Sequence, residues 1–508
     1  MDFPAAETPQ ADPPWRRAAA GVTLLCLAAY ALILALNVGA VAGGSDSSGY
    51  MNGARLLAAG RVHVAPRTVA GLPASSVAPF LYIPLGFKPA PNGDGMVPTY
   101  PSGFALFILA FRPLAGWRHA GDVTVVLHAL AGVVATYALA RLLGLGRKGS
   151  VLCASIIALS PLYLYMSLQA MSDVPSLAWT TLALVAALKS RARPVWALAA
   201  GAALAVDVLL RPTNILAFIP TAIALGASPR RWAYLCLGGL PGAAFFCAHS
   251  LAAYGRIATT GYGDNTNAFS TAYVPVTLRR YALWLPALFT PLVVLVPAIP
   301  WLASRSPSVR WLLGAWIVAF AGFYATYQNT HETWWYLRFL LPAAPAIVVG
   351  SALVLREMVS RSKAGAAAAR SPRAFAVCLL LAAGYLILWD RSLDALDIGK
   401  TELRYGLVAD WMKKHVPPDA VCLAMQASGA LFYYTDYTFL RWDVINRQNA
   451  GRVEAAVRDA KRPLYAVLFP FEVEEKGVLD KRMPGKWTAI GSVDDVTVFR
   501  RDTGPSTP

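Results

Sequence analysis

The chain has 508 residues, of which 56% are hydrophobic and only 14% charged. Globular proteins carry about a quarter charged residues, so this chain has too little polar surface to face water on every side. Long uncharged runs recur from Ala18 to Leu388; together the two facts exclude an ordinary water-exposed fold and call for an α-helical polytopic membrane protein. The formal net charge of +17 reads as basic loops on the cytoplasmic side, and no nucleic-acid partner is expected.

Six cysteines are present. Cys26, Cys153, Cys236, Cys247 and Cys378 lie in apolar runs and no C-x-x-C pair occurs, so neither a disulfide framework nor a zinc site is supported.

In chain order, residues 1–17 read as a cytoplasmic tail. Arg16 and Arg17 lead into Ala18–Ala42, which exceeds the roughly 7–15 residues of a cleavable signal and is read as a first span. Gly43–Gly60, GGSDSSGYMNGARLLAAG, follows. A glycine break exposes one acid, Asp46, and the pattern then turns helical. Tyr50, Met51, Ala54, Leu57 and Ala58 share one face, while Ser48, Asn52 and Arg55 share the other. The expectation is a short amphipathic helix on the membrane surface with Asp46 at its head, as an N-cap or as a catalytic base.

The loop over 43–122 is rich in Pro, Gly and aromatics and carries Tyr82, Lys88 and the TYPSG turn at Thr99–Gly103. Within it, Phe104–Phe111 stops at Arg112 and Pro113, too short to cross a bilayer, and is read as a surface or re-entrant helix. Further spans are expected at Val123–Leu143, Val151–Ser167, Val174–Leu188, Val195–Leu210, Ile215–Ala227, Trp232–Tyr254, Tyr281–Ala303, Trp311–Tyr327, Phe339–Leu355 and Phe375–Trp389, about eleven in all.

With the N-terminus inside, Arg141/Arg147/Lys148, Lys189/Arg191/Arg193, Arg230/Arg231, Arg305/Arg310 and the segment Arg356–Arg373 all fall in cytoplasmic loops, as basic clusters should. Counting Phe104–Phe111 as a span would move the Arg147/Lys148 and Arg191/Arg193 loops outside. An odd count places 391–508 outside, as a small α/β domain after a transmembrane domain over 18–390. Ala420–Ala424, Leu464–Phe469 and Val496–Arg500 read as strands and Val453–Ala460 as a helix.

The outward loops collect Asp46, Arg55, Tyr82, Lys88, Tyr100, Asp173, Arg211 with Asn214, Arg279, Arg280, His331, Glu332 and Arg338. Charges at membrane level are expensive and mark function by default. Plainer readings exist: Asp173 as the cap of the span containing Pro175, Arg211 and Arg338 as snorkelling arginines, and Trp334–Tyr336 as an aromatic belt. His331-Glu332 lacks the second histidine of H-E-x-x-H, and no P-loop or G-x-S-x-G occurs in a suitable context. Taken together, one carboxylate can remove a proton from an acceptor attacking an anomeric carbon, while loop cations hold a phosphate leaving group. Tyr82, Tyr100, His331 and Glu332 are read as substrate contacts.

The order of motifs resembles the polytopic glycosyltransferases of the C superfamily that use polyprenyl-phosphate sugars, the protein O-mannosyltransferases and lipid A aminoarabinose transferases. The matching residues are Asp46 with Y-x-x-x-A-x-x-L-x-x-G at Tyr50–Gly60, the Y-P-x-G turn at Tyr100–Gly103, M-S-D-x-P at Met171–Pro175 and R-F-L-L-P at Arg338–Pro342. The stretch Gln426–Asp443 is similar to the tail of bacterial members of unassigned specificity. The turn reads P-S-G where many relatives have P-P-G.

The resemblance implies a hexosyl- or pentosyltransferase that inverts at the outer face of the bacterial cytoplasmic (inner) membrane. Its donor would be a polyprenyl-phosphate sugar and its acceptor an envelope glycan, lipid or protein, amid membrane lipids. Asp46 and Asp173 are the catalytic acids the resemblance implies, Asp46 matching the family's catalytic Asp and Asp173 the second-loop acid that supports the first loop or the site. Arg338, Arg211, Lys88 and Arg55 would bind the donor phosphate. Neither acid belongs to a D-x-D pair, so a divalent metal stays an open alternative. Two other readings remain: a lipid-linked glycan transporter, and a glycan-lipid ligase with a diphosphate donor.

Overall fold

The computed structural model describes residues 14–502 except Asn92, Asp94 and Arg305. Most of the expected tail at 1–17, the basic loop residue Arg305 and residues 503–508 lie outside the described residues. The chain divides into two compact units. The first comprises the chain up to Val38, Val123–Phe246 and Asp264–Gly399; the second comprises Gly39–Asp122, Cys247–Gly263 and the chain from Lys400 onward. The long first loop thus belongs to the same unit as the C-terminal domain.

The first unit is helical because its sequence is dominated by Ala, Leu and Val runs punctuated by start signals. Ser160 caps Pro161–Ser167 by accepting from the Tyr163 amide, and Ser371 caps Pro372–Ser392 by accepting from Ala374, each ahead of a proline at the first helical position. Among the described residues, five helices are long and apolar enough to cross a membrane: Ser102–Leu142, Pro229–Tyr254, Pro307–Ala325, Trp334–Ser360 and Pro372–Ser392. Arg147–Ala158 and Pro161–Ser167 form a further pair bent by 58°. Leu237, Leu240, Leu380, Leu381 and Leu388 on two of these helices are exposed, an apolar outer surface that suits hydrocarbon.

Other expected spans are broken rather than continuous. Tyr281–Ala303 divides into Val274–Phe289, a 3-10 stretch Pro291–Ala298 and Ile299–Leu302. The break falls at Thr290, whose φ of 77° ends the helix before Pro291. Ile215–Ala227 is likewise a 3-10 turn, Pro212–Ala217, running into Phe218–Leu225. Trp316 anchors the core, fully buried and donating from Nε1 to the Pro342 carbonyl at 3.1 Å.

In the second unit, the expected helix forms at Ser45–Ala58 with Asp46 in its first turn. It does not lie on a surface: every residue from Ser47 to Ala54 is buried. The face expected to be wet is instead covered by the 426–435 segment. Asn52 donates to the Gly429 carbonyl at 3.2 Å, and a Cβ on Gly429 would strike the Ser48 hydroxyl. Phe104–Phe111 is helical as expected, but it continues through Arg112 and Pro113 within Ser102–Leu142; the backbone breaks at Gly116 (φ 65°, ψ 175°), where only glycine is at ease.

Strands β1 (Phe87–Pro89) and β2 (Met96–Pro98) form an antiparallel pair, Lys88 opposite Val97. The C-terminal residues build a five-stranded sheet from β3 (Val421–Leu423), β4 (Thr438–Leu440), β5 (Leu464–Leu468), β6 (Trp487–Val493) and β7 (Val496–Arg501), in the order β4-β3-β5-β7-β6. The first three are parallel and the last two antiparallel. The apolar run of β5 is buried at all five positions, as a central strand requires, whereas β6 at the edge is largely uncovered. Helix Arg447–Asp459 packs here behind a capping box formed by Asn446 and Asn449.

Candidate active site

Two groups of chemically active side chains emerge, one in each unit. In the second unit, Asp46 is half-buried in the first turn of Ser45–Ala58, where unsatisfied amides favour an anion. The Tyr100 hydroxyl donates to Ser45 Oγ at 2.9 Å, and its ring lies 5.3 Å from that of Tyr50. Burial and, next, the negative charge of Asp46 hold the Tyr100 phenol well above its usual range. The helix reaches this position through a glycine contact. Gly86 (φ 90°) leaves no room for a side chain, since a Cβ there would lie 2.6 Å from the Gly49 backbone, and Gly49 itself packs on the Tyr100 ring.

Lys88 sits on β1 with its ammonium 4.9 Å from the Tyr254 ring, and burial pushes it below its usual value. Arg55 and Tyr82 are engaged within their own unit. The Arg55 guanidinium donates to the Tyr433 carbonyl at 2.5 Å and lies 3.6 Å from the Tyr433 ring centre. Tyr82 is buried, donating to the Leu72 carbonyl at 2.7 Å and accepting from the Val69 amide at 3.3 Å. Both hold the first loop in shape.

In the first unit, Asp173 is fully buried at the start of Asp173–Lys189. It does not cap that helix. Its carboxylate pairs with Arg211 at 2.9 Å and stands 3.9 Å from Arg338. Arg211 follows the end of helix Trp196–Leu210, directed by the extended conformation that Pro212 imposes on the preceding residue, and its Nε donates to Ser172 Oγ at 3.2 Å. Arg338 projects from the 3-10 stretch Trp334–Ala343. Each guanidinium lies 5.2 Å from the Phe339 ring centre, and Phe339 stacks on Tyr324. Arg211 is therefore buried in the protein and not snorkelling.

Trp334 and Trp335 pack on Tyr165, at 5.0 and 6.3 Å. His331 stacks on Tyr273 at 5.3 Å, while Glu332 is exposed.

Glu402 escaped sequence reasoning. It lies on helix Ile398–His415 in a polar stretch with no motif, and no local signal could have singled it out. Its carboxylate packs against the Cα of Gly43, three residues before Asp46. Burial, with the charge of Asp46 adding to it and Arg404 opposing, pushes the Glu402 carboxyl up to about 7. Among the described residues no group of three or more His, Cys, Asp or Glu stands ready to hold a metal ion.

No protein-family model matches the chain, and no curated protein matches it in sequence. Solved structures do match. ArnT from Cupriavidus metallidurans, in the apo state, superposes with a TM-score of 0.60 at 13% identity over 95% of this chain and 98% of that one. The same protein bound to undecaprenyl phosphate gives 0.56 at 13% identity, with 96% and 99% covered. Arabinofuranosyltransferase AftD from Mycobacteria gives 0.54 at 14% identity, covering 95% of this chain but 40% of AftD. The Archaeoglobus fulgidus oligosaccharyltransferase tethered with an acceptor peptide gives 0.50 at 14% identity, with 89% and 69% covered. The chain shares its fold with these proteins.

Proposed function

We propose that this chain is a membrane glycosyltransferase that moves a sugar from a polyprenyl-phosphate donor to an acceptor outside the cytoplasm, with inversion. The observation that carries the reading is Asp46, set at the head of a buried helix directly after the first apolar helix, in a fold shared along nearly its whole length with ArnT, which binds undecaprenyl phosphate.

In this reading the Asp46 carboxylate takes the proton from an acceptor hydroxyl or amine. The acceptor atom attacks the anomeric carbon from the face opposite the phosphate. The bond from that carbon to the phosphate oxygen breaks, and its electron pair leaves with the lipid phosphate. Arg211 and Arg338 supply guanidinium donors, which bind phosphate in a fixed fork, and Lys88 adds a point charge. Asp173 holds the two arginines in place. Tyr100 orients the turn that carries Asp46, while His331 and Glu332 contact substrate.

The chain would cross the inner membrane about eleven times, the broken helices included, with the N-terminus cytoplasmic and the C-terminal domain periplasmic. The test uses purified wild type and Asp46→Asn protein with a panel of radiolabelled polyprenyl-phosphate sugars and envelope extract as acceptor. Transfer from one donor, lost in the variant, is the expected result. A fully active variant, or lipid movement across vesicles without transfer, overturns the reading.

A further inference from the structure

The linker that delivers Asp46 is gripped from one side by the C-terminal domain. The Ala42 amide donates to the Tyr434 hydroxyl at 3.2 Å. A Cβ on Gly43 would collide with the Glu402 carboxylate and lie 3.3 Å from Tyr405; one on Gly44 would lie 3.2 Å from the Gln426 amide nitrogen. That nitrogen donates to the Tyr405 hydroxyl at 2.6 Å, and the Gln426 backbone amide donates to buried Glu472 at 3.1 Å. Two small residues thus admit a rigid polar surface to within one helical turn of Asp46.

On that surface the Glu402 carboxylate is the one set against Gly43. The charged groups that act on it are Arg404 from its own helix and, more weakly, Asp46 from the first-loop helix, and the Tyr405 phenol feels its charge in turn. Arg404 is itself bonded to Asp495 at 2.6 Å. Nothing in the proposed transfer uses Glu402.

We propose that Glu402 is a positioning residue of the Asp46 site, a proton relay through which the C-terminal domain resets the base. The proposal rests on the glycosyltransferase reading. In each turnover Asp46 takes one proton from the acceptor as the new glycosidic bond forms. That proton then passes to the ionised Glu402 carboxylate and from there to water, leaving Asp46 ionised for the next acceptor. No other reactant is needed. Burial, opposed by Arg404 and reinforced by the charge of Asp46, raises the Glu402 carboxyl to about 7, so it can take up a proton at neutral pH. Glu402 receives a proton only when ionised, so transfer rises with pH through about 7.

The experiment has two readouts on wild type, Asp46→Asn, Glu402→Gln and Glu402→Asp protein in lipid nanodiscs, each checked for monodispersity. The first is independent of any donor: infrared difference spectra over a pH titration. A carboxyl band titrating near neutral pH is expected in wild type, absent from Glu402→Gln and moved to lower pH in Asp46→Asn. The second is the pH profile of transfer. Glu402→Gln is expected to lose the rise and about tenfold in rate at pH 8, with Glu402→Asp restoring the rise.

A neutral band that persists in Glu402→Gln, or that does not move in Asp46→Asn, overturns the proposal whatever the activity. So does an unchanged pH profile in Glu402→Gln. The expected spectra with no transfer in wild type would instead remove the glycosyltransferase reading and the relay role with it, while leaving the coupling of the two acids established.

Discussion

The two units handle charge in opposite ways. In the first, one buried acid, Asp173, is set between two arginines that share the face of Phe339. In the second, Asp46 has another acid, Glu402, for a neighbour, and a phenol, Tyr100, whose proton its charge helps to retain. Opposite charges at contact make a durable anchor, suited to an anionic ligand. Burial, with a like charge adding to it, raises proton affinity. On the proposed reading, the first arrangement holds a leaving group and the second moves a proton.

The comparison breaks most severely at Asp46. Asp46→Asn is expected to lower transfer at least about a hundredfold, with unchanged elution and thermal midpoint; a large loss of stability instead would make Asp46 a structural cap. Next comes the anchor. Arg211→Ala leaves the buried Asp173 carboxylate short of its closest partner and is expected to destabilise the first unit by roughly 3–5 kcal/mol. Thermal unfolding checks this, and adding Asp173→Asn should recover part of the loss. Arg338→Ala, at the longer separation, should destabilise less and appear chiefly as a raised KM for the lipid-phosphate donor.

Smaller effects sharpen the boundary between holding the fold and holding substrate. Arg55→Ala removes a bond to Tyr433 and a cation–ring contact, together about 1–2 kcal/mol. It should lower the midpoint without altering the donor KM, whereas a raised KM would support the expected phosphate contact of Arg55. Tyr82→Phe loses two buried hydroxyl contacts, to the Leu72 carbonyl and from the Val69 amide, about 1–3 kcal/mol, and should leave transfer unchanged.

Much of the local structure was legible. The glycine break and the spacing of Tyr50, Met51 and Ala54 mark the helix at Ser45–Ala58, and short apolar runs mark β3, β5 and β7 within one or two residues at each end. The wet face assigned to Ser48 and Asn52 was misread, because small polar residues pack against a glycine-bearing partner as readily as against water. The cap assigned to Asp173 failed for a related reason: residue type and position suit a cap, but Arg211 lies within reach only once the helices have packed. Likewise the expected stop at Pro113 gave way to Gly116, three residues on, where a positive φ turns the chain while Pro113 is carried inside the helix.

The sequence by itself determined that this is a chain of apolar helices with one acid placed just after the first and a small α/β region at its end. Those features follow from period, length and composition, which act over a few turns of chain. Only the tertiary structure decided the company each charge keeps: Asp173 with Arg211 and Arg338, Arg55 with Tyr433, and Glu402 with Gly43. These contacts join residues far apart along the chain, where no local periodicity records them, and in a low-dielectric interior such neighbours set what an ionisable group can do.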